Sequence, residues 1–223
     1  MTPKLAVFDI DGTLVDSREV IFRAARESAV EIGLPEPAYD QVRQIVGLSL
    51  RDALQMLAPD LDDPTLNSFV VAYQQAFLRM HAEPGFIEPL YDGAAELLDR
   101  LRADGWRIAM ATGKARRGVE RIIRMHGWAD LFDSTHCADD GPGKPHPAMV
   151  LEAMKALDVG PERTVMIGDT SHDMRMAVNA GVRPQGVAWG FHTAEEVLAS
   201  GAVHVANDFA ELDAELRRFA AGL

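Results

Sequence analysis

The sequence of 223 residues holds a single cysteine, Cys137, so neither an internal disulfide nor a cysteine-based zinc site can form within it. That residue reads as a small buried side chain at or beside a strand. Basic residues are scarce as well. Thirty-four acidic side chains against 22 basic ones give a net charge of −12. This argues against nonspecific binding to nucleic acid or to an anionic membrane, since both want a basic face. No apolar run approaches the roughly 20 residues that span a bilayer, and the opening MTPKLAVFDIDGT reaches carboxylates too soon for a signal peptide. A cytoplasmic protein is therefore expected. Internal repeats and low-complexity tracts are missing, and the length suits one large domain or a core with a modest insert.

What is present is an alternation of short β-type runs with helical stretches, which favours a parallel sheet covered by helices. The clearest strand candidates are Leu5–Ile10, Arg107–Thr112, Thr164–Gly168 and Gln185–Trp189; Asp133–Ala138 is weaker, and Ala202–Ala206 suits an edge. The first three are nearly continuous apolar runs, as strands buried on both faces should be. Helices are expected over 92–104, 114–126, 145–157, 171–180 and 210–219, the third with Pro145 in its first turn. Between the first strand and Leu90 the alternation stops. A structureless loop of that length is improbable in a compact domain. The segment from Asp16 to Glu88 reads instead as about four helices, with breaks at Gly33–Pro35, Gly47, Pro59–Pro64 and Pro84–Gly85.

Four polar motifs fall at strand ends, where ligands sit in open α/β sheets. Asp9-Ile10-Asp11-Gly12-Thr13 sets two carboxylates two residues apart, with Gly12 permitting a tight turn. One carboxylate of such a pair can attack phosphorus while the other moves protons. Thr112-Gly113-Lys114 offers a hydroxyl and backbone N–H groups as an anion cradle, or simply a helix N-cap. Lys144, flanked by Gly143 and Pro145, reads as a fixed point charge for a phosphoryl group or as a solvated lysine, with His146 in a first helical turn. Asp169 and Asp173 straddle a strand end and a helix start, where both can face a hard cation; a dipole-friendly acid in the first turn explains Asp173 equally well. His172 between them reads as an exposed loop histidine. Asp9, Asp11, Asp169 and Asp173 would gather about four negative charges, which is costly unless compensated. One Mg²⁺ and Lys144 would bring three positive charges and let the site accept a phosphate dianion.

At these residues the chain resembles the haloacid dehalogenase superfamily of phosphatases, and within it the phosphoglycolate phosphatase-like group. Asp9 through Ser17 is similar to the first motif of that superfamily; Thr112, Lys144 and the Asp169…Asp173 pair are similar to the second, third and fourth. Trp189 to Glu196 and Asn207-Asp208-Phe209 fit the narrower group. The resemblance implies an α/β, Rossmann-like three-layer core with a parallel sheet, formed by residues 1–15 and 89–223, and an all-helical cap over 16–88. It implies a Mg²⁺-dependent hydrolase of small phosphorylated metabolites, acting through an aspartyl-phosphate as a monomer or homodimer. Asp9 would be the nucleophile and Asp11 the general acid and base. Thr112, Gly113 and Lys144 would hold the phosphoryl group. The metal would sit among Asp9, the carbonyl of Asp11, Asp169 and Asp173. Gly47 to Asp52 resembles the loop of the cap that reaches the site, where Ser49 or Arg51 could meet the leaving group; a solvated helix face is the other reading of Arg51. Arg116, Arg117, Arg121 and Arg124 read as one solvated basic face. A sugar phosphatase, a pyrophosphatase, a phosphoglucomutase-like transferase and a noncatalytic phosphate-binding module are the competing functions.

Overall fold

A computed structural model describes residues 3–223. Six parallel strands form one sheet: β1 (Lys4–Phe8), β2 (Trp106–Thr112), β3 (Ser134–Cys137), β4 (Thr164–Gly168), β5 (Arg183–Val187) and β6 (His204–Ala206), in the order β3-β2-β1-β4-β5-β6. The six expected strands, the edge strand among them, are all there. The fifth starts two residues before the predicted Gln185. Arg183 and Pro184 look like a turn in sequence, but a proline is tolerated at a strand's start, where its missing N–H costs little. That shift frees Trp189 from the strand, and its indole N–H donates to the Thr13 carbonyl at 3.0 Å.

Helices cover both faces, which explains the continuous apolar runs. Ala6 and Phe8 of β1 point to one side, against Leu97, Leu98 and Leu101 of α5 (Ala94–Ala103), Ile122 of α6 (Arg116–His126) and Leu212 of α10 (Phe209–Ala221). Leu5 and Val7 point to the other, against Met149 and Val150 of α7 (Ala148–Leu157) and Ala177 of α8 (Ser171–Ala180). Each such side chain fully buried contributes roughly 1.5–3 kcal/mol. A short helix, α9 (Ala194–Ala199), precedes β6. One expectation is corrected here: α7 begins at Ala148, not at Pro145. Each proline disfavours helical geometry in the residue before it, so Lys144 and His146 stay outside, and the Lys144–Pro145 peptide is cis. His146 lies ahead of the helix, its Nδ1 accepting from the Ala148 N–H at 3.2 Å.

Between β1 and α5 come four helices, α1 (Arg18–Glu31), α2 (Tyr39–Ile45), α3 (Leu50–Leu57) and α4 (Asp63–His81). They have apolar clusters of their own, one around Val20, Ala24, Ala76 and Met80, the other around Ala29, Leu54, Leu66 and Phe69. The chain leaves and rejoins the sheet at adjacent points. The Asp16 N–H donates to the Pro89 carbonyl at 2.8 Å, and the Tyr91 N–H to the Leu14 carbonyl at 3.0 Å. Farther out, Arg43 of α2 pairs with Glu196 of α9 at 2.8 Å, and Gln44 donates to the same carboxylate at 2.7 Å.

Candidate active site

The strand β1 ends at Phe8, so Asp9 is the first residue past the sheet, and its N–H still bonds the Ile167 carbonyl at 2.9 Å. The chain then turns through Gly12 at φ +84°. A Cβ there would lie 2.3 Å from Asp169 Oδ2 as well as being strained by the backbone, so only glycine fits. This close approach presses the first motif against Asp169. Both oxygens of that carboxylate are held, Oδ1 by the Thr13 hydroxyl and Oδ2 by the Phe191 N–H, each at 2.8 Å. Asp173, in the first turn of α8, accepts through Oδ2 from the Thr170 N–H at 3.0 Å and the Thr170 hydroxyl at 2.7 Å.

Lys144 is fully buried and reaches two of these acids, lying 2.7 Å from Asp9 Oδ1 and 2.6 Å from Asp173 Oδ1. These are charge contacts without hydrogen-bond alignment. Of the sequence alternatives for Lys144, the solvated lysine is therefore excluded. Burial alone would pull its ammonium down, but Asp173 and Asp9 outweigh that and raise it. Burial pushes the Asp9 carboxyl up to about 7, against the pull of Lys144 and with added repulsion from Asp173 and Asp11. Asp169 rises well above the usual carboxylate range through burial and then through Asp173 and Asp9.

Oxygens of Asp9, Asp169 and Asp173 all lie within 4.8 Å of one another. One ammonium among three buried carboxylates leaves an excess of negative charge, and Asp9 Oδ2 is buried with no hydrogen-bond partner among the described residues. An all-oxygen donor set with surplus negative charge suits a hard divalent cation such as Mg²⁺. The residues present therefore fit that ion.

The carboxylate of Asp11 faces away from this group, with Lys114 Nζ 2.8 Å from its Oδ1. Thr112 is buried at the end of β2, beside β1, its hydroxyl accepting from the Lys114 N–H at 3.2 Å. Gly113 has no room for a side chain. A Cβ would stand 2.5 Å from the Leu48 carbonyl oxygen and 2.7 Å from that of Gly47, so the loop between α2 and α3 lies directly on it. Ser49 caps α3 and its hydroxyl is 2.5 Å from Asp52 Oδ2. Arg51 turns onto α4, 2.5 Å from both Asp63 Oδ1 and Asn67 Oδ1, with its side chain 46% exposed.

Several expectations change. His172 is a buried residue of α8, not an exposed loop histidine: the helix starts at Ser171, and the ring Nε2 is 3.0 Å from the Gln44 carbonyl of the helical insert. The basic helix α6 is only in part a solvated face: Arg117 and Arg124 are exposed, Arg116 and Arg121 half-buried. Arg116 pairs with Asp140 and donates to Thr135, while Arg117 and Arg121 line the cavity above Asp9 with neither ion pair nor hydrogen bond. Glu88 and His81 were given no role from sequence, and Lys114 was named only as part of an anion cradle or helix start. Lys114 is also 3.4 Å from Glu88, whose other oxygen is 3.4 Å from His81 Nε2. Burial raises the Glu88 carboxyl, and burial with repulsion from Arg121 and Lys114 takes the His81 imidazole down to about 4. A count of charges could have found Lys114, since four acids and one lysine leave Asp11 uncompensated.

Residues 6–187 match the model of the haloacid dehalogenase-like hydrolases. The chain belongs to this family. This hydrolase is 34% identical over 212 residues to a protein of Dickeya dadantii (strain 3937) named "Probable phosphatase IndB", covering 93% of this chain and 91% of that one. It is 31% identical to a phosphoglycolate phosphatase of Vibrio vulnificus (strain CMCP6), over 94% of each chain. Its fold is that of a hydrolase from Pseudomonas syringae, with a TM-score of 0.86 at 24% identity, over 96% of this chain and 98% of the other. Among the described residues of the hydrolase, no helix is long and apolar enough to cross a membrane.

Proposed function

We propose that this hydrolase cleaves phosphate monoesters of small metabolites with Mg²⁺ and a phosphorylated Asp9. The observation that carries the proposal is the buried Asp9 Oδ2, with no hydrogen-bond partner among the described residues, at a strand end where Lys144 and two further carboxylates converge. A nucleophile needs such an uncommitted oxygen. Asp9, the main-chain carbonyl of Asp11, and Asp169 would hold the metal, with Asp173 in support through Lys144 and Thr170. Mg²⁺, when bound, supplies positive charge that offsets the carboxylates and the phosphoryl oxygens.

In the first half of the reaction Asp9 Oδ2 bonds to phosphorus as the ester P–O bond breaks. The leaving oxygen takes a proton from the Asp11 carboxyl. In the second half Asp11 takes a proton from water, the water oxygen bonds to phosphorus, and the bond to Asp9 breaks to release phosphate. Lys144, the Thr112 hydroxyl and the Gly113 N–H bind the non-reacting phosphoryl oxygens, in a place where donors fixed beforehand need no reorganisation. Residues 16–88 act as a cap over this core of residues 1–15 and 89–223, closing the site from water. A cytoplasmic setting, as monomer or homodimer, is consistent with this role.

A carboxylate-bearing ester such as phosphoglycolate would suit an arginine on the cap. Arg51, the group that would greet the carboxylate, is committed to Asp63 and Asn67. Phosphate release from phosphoglycolate, sugar phosphates and pyrophosphate, with Mg²⁺ or with EDTA, tests the activity. Metal-dependent release is expected; isomerised sugar phosphate without free phosphate would instead mark a mutase.

A further inference from the structure

A cavity of about 370 Å³ opens from Asp9 and Asp11 between the core and the four-helix insert. Its size is that of a small-molecule site. The reacting carboxylates are on its wall, so whatever fills it during turnover is joined to the phosphoryl group. The remainder of the wall on the insert side is mainly apolar: Ile21, Val42, Ile45, Leu54, Tyr73 and Phe77 come from all four helices. Gln74 of α4 adds an amide to that wall, and other polar groups of the cavity are engaged. Ser49 is bound to Asp52, Arg51 to Asp63, and Lys114 to Asp11 and Glu88. A two-carbon acid would leave this wall wetted and would meet no free cation on the insert.

We propose that the alcohol portion of the natural substrate is a bulky apolar group, cyclic or branched, seated against the insert helices. The inference rests on Asp9 being the nucleophile for a phosphate ester. Its physical basis is that apolar surface removed from water stabilises the bound ester, each methylene-sized group being worth about ten-fold in discrimination. Two further cations on the cavity, Arg117 and Arg121, belong to α6 on the core side. These two would favour a short acidic substrate over an apolar one, so the test compares both.

Cyclohexylmethyl phosphate, ethyl phosphate and phosphoglycolate all release primary alcohols, so their leaving oxygens differ little and the cavity decides among them. With Mg²⁺ present, kcat/KM for cyclohexylmethyl phosphate should exceed that for either of the others by at least ten-fold. The Ile21→Gln variant places an amide in a half-buried part of the wall. It should lose about ten-fold on the cyclohexylmethyl ester and much less on ethyl phosphate, while circular dichroism like the parent's shows that it folds. Equal or better turnover of phosphoglycolate, or an equal loss on all three esters, would overturn the proposal. Calorimetry with cyclohexylmethanol alone reads the cavity without the chemistry. Binding that Ile21→Gln weakens supports the apolar site even if no ester is hydrolysed, an outcome that would defeat only the phosphatase reading. No binding by the parent protein defeats the apolar site itself.

Discussion

The Lys114 ammonium lies 2.8 Å from Asp11 Oδ1 and 3.4 Å from Glu88 Oε1, so the carboxyl proposed to shuttle protons is held from outside the phosphoryl site. Lys114 is a positioning residue on this geometry. Lys114→Met should lower kcat by about 10–100-fold, within the range that general acid–base catalysis contributes, and should leave KM within a few-fold. The loss should be larger for alkyl than for nitrophenyl esters, because only the former need protonation of the leaving oxygen. Lys114→Arg should recover part of it. An equal loss on both ester types would assign Lys114 a purely structural role.

Asp9→Asn removes one of three clustered negative charges while keeping the shape of the side chain. Turnover should vanish along with any trapped phosphoenzyme. Without metal, and above pH 7 where the parent's Asp9 is charged, the variant should nevertheless melt higher than the parent, because the desolvation of that carboxylate outweighs the pull of Lys144. Calorimetric melting in EDTA checks the second half of the statement, and residual full activity would sink the first.

The elevated Asp9 carboxyl sets the pH dependence of the metal-free fold. Its folded value near 7 stands above the ordinary 3.8, so the fold favours the protonated form. The stability tied to this group is complete below about 4 and drains away as pH rises towards 7. Mg²⁺ competes with that proton and should raise the melting temperature more at pH 8 than at pH 6. Melting curves in EDTA and in excess Mg²⁺ at the two pH values make the comparison. A metal effect independent of pH would refute the link to Asp9.

Gly113→Ala would drive a Cβ to 2.5 Å from the Leu48 carbonyl oxygen. Backbone has to move, and the loop that carries Ser49 is what stands there. We expect kcat/KM to fall by at least ten-fold, since displacements of about 1 Å in a site can cost 100-fold. The cores on the two faces of the sheet are untouched, so circular dichroism should remain that of the parent.

Strands buried on both faces announce themselves through unbroken apolar runs, and the acids after them mark the sheet's ligand edge; that much was legible from LAVFDI, RIAMAT and TVMIG. The four insert helices were legible from Gly and Pro breaks. Contacts across the fold were not. Lys114 follows a Thr-Gly pair that resembles a plain helix start, and nothing local says that its ammonium finds Asp11, 103 positions earlier in sequence (114 − 11 = 103). His172 escaped for the same reason: it is buried only because Gln44 arrives over it. Burial created by a distant segment leaves no periodicity in the chain it covers.

The paired crossings at Asp16–Pro89 and Leu14–Tyr91 hold both ends of the helical insert side by side. Closing a loop whose ends are already pinned together costs little more for a long segment than for a short one, about 0.6 kcal/mol per doubling. The segment between the crossings is therefore a replaceable cassette. Evolution or an engineer can exchange it, with its apolar wall, while every carboxylate around Lys144 stays in place, so new selectivity can be grafted without rebuilding the chemistry.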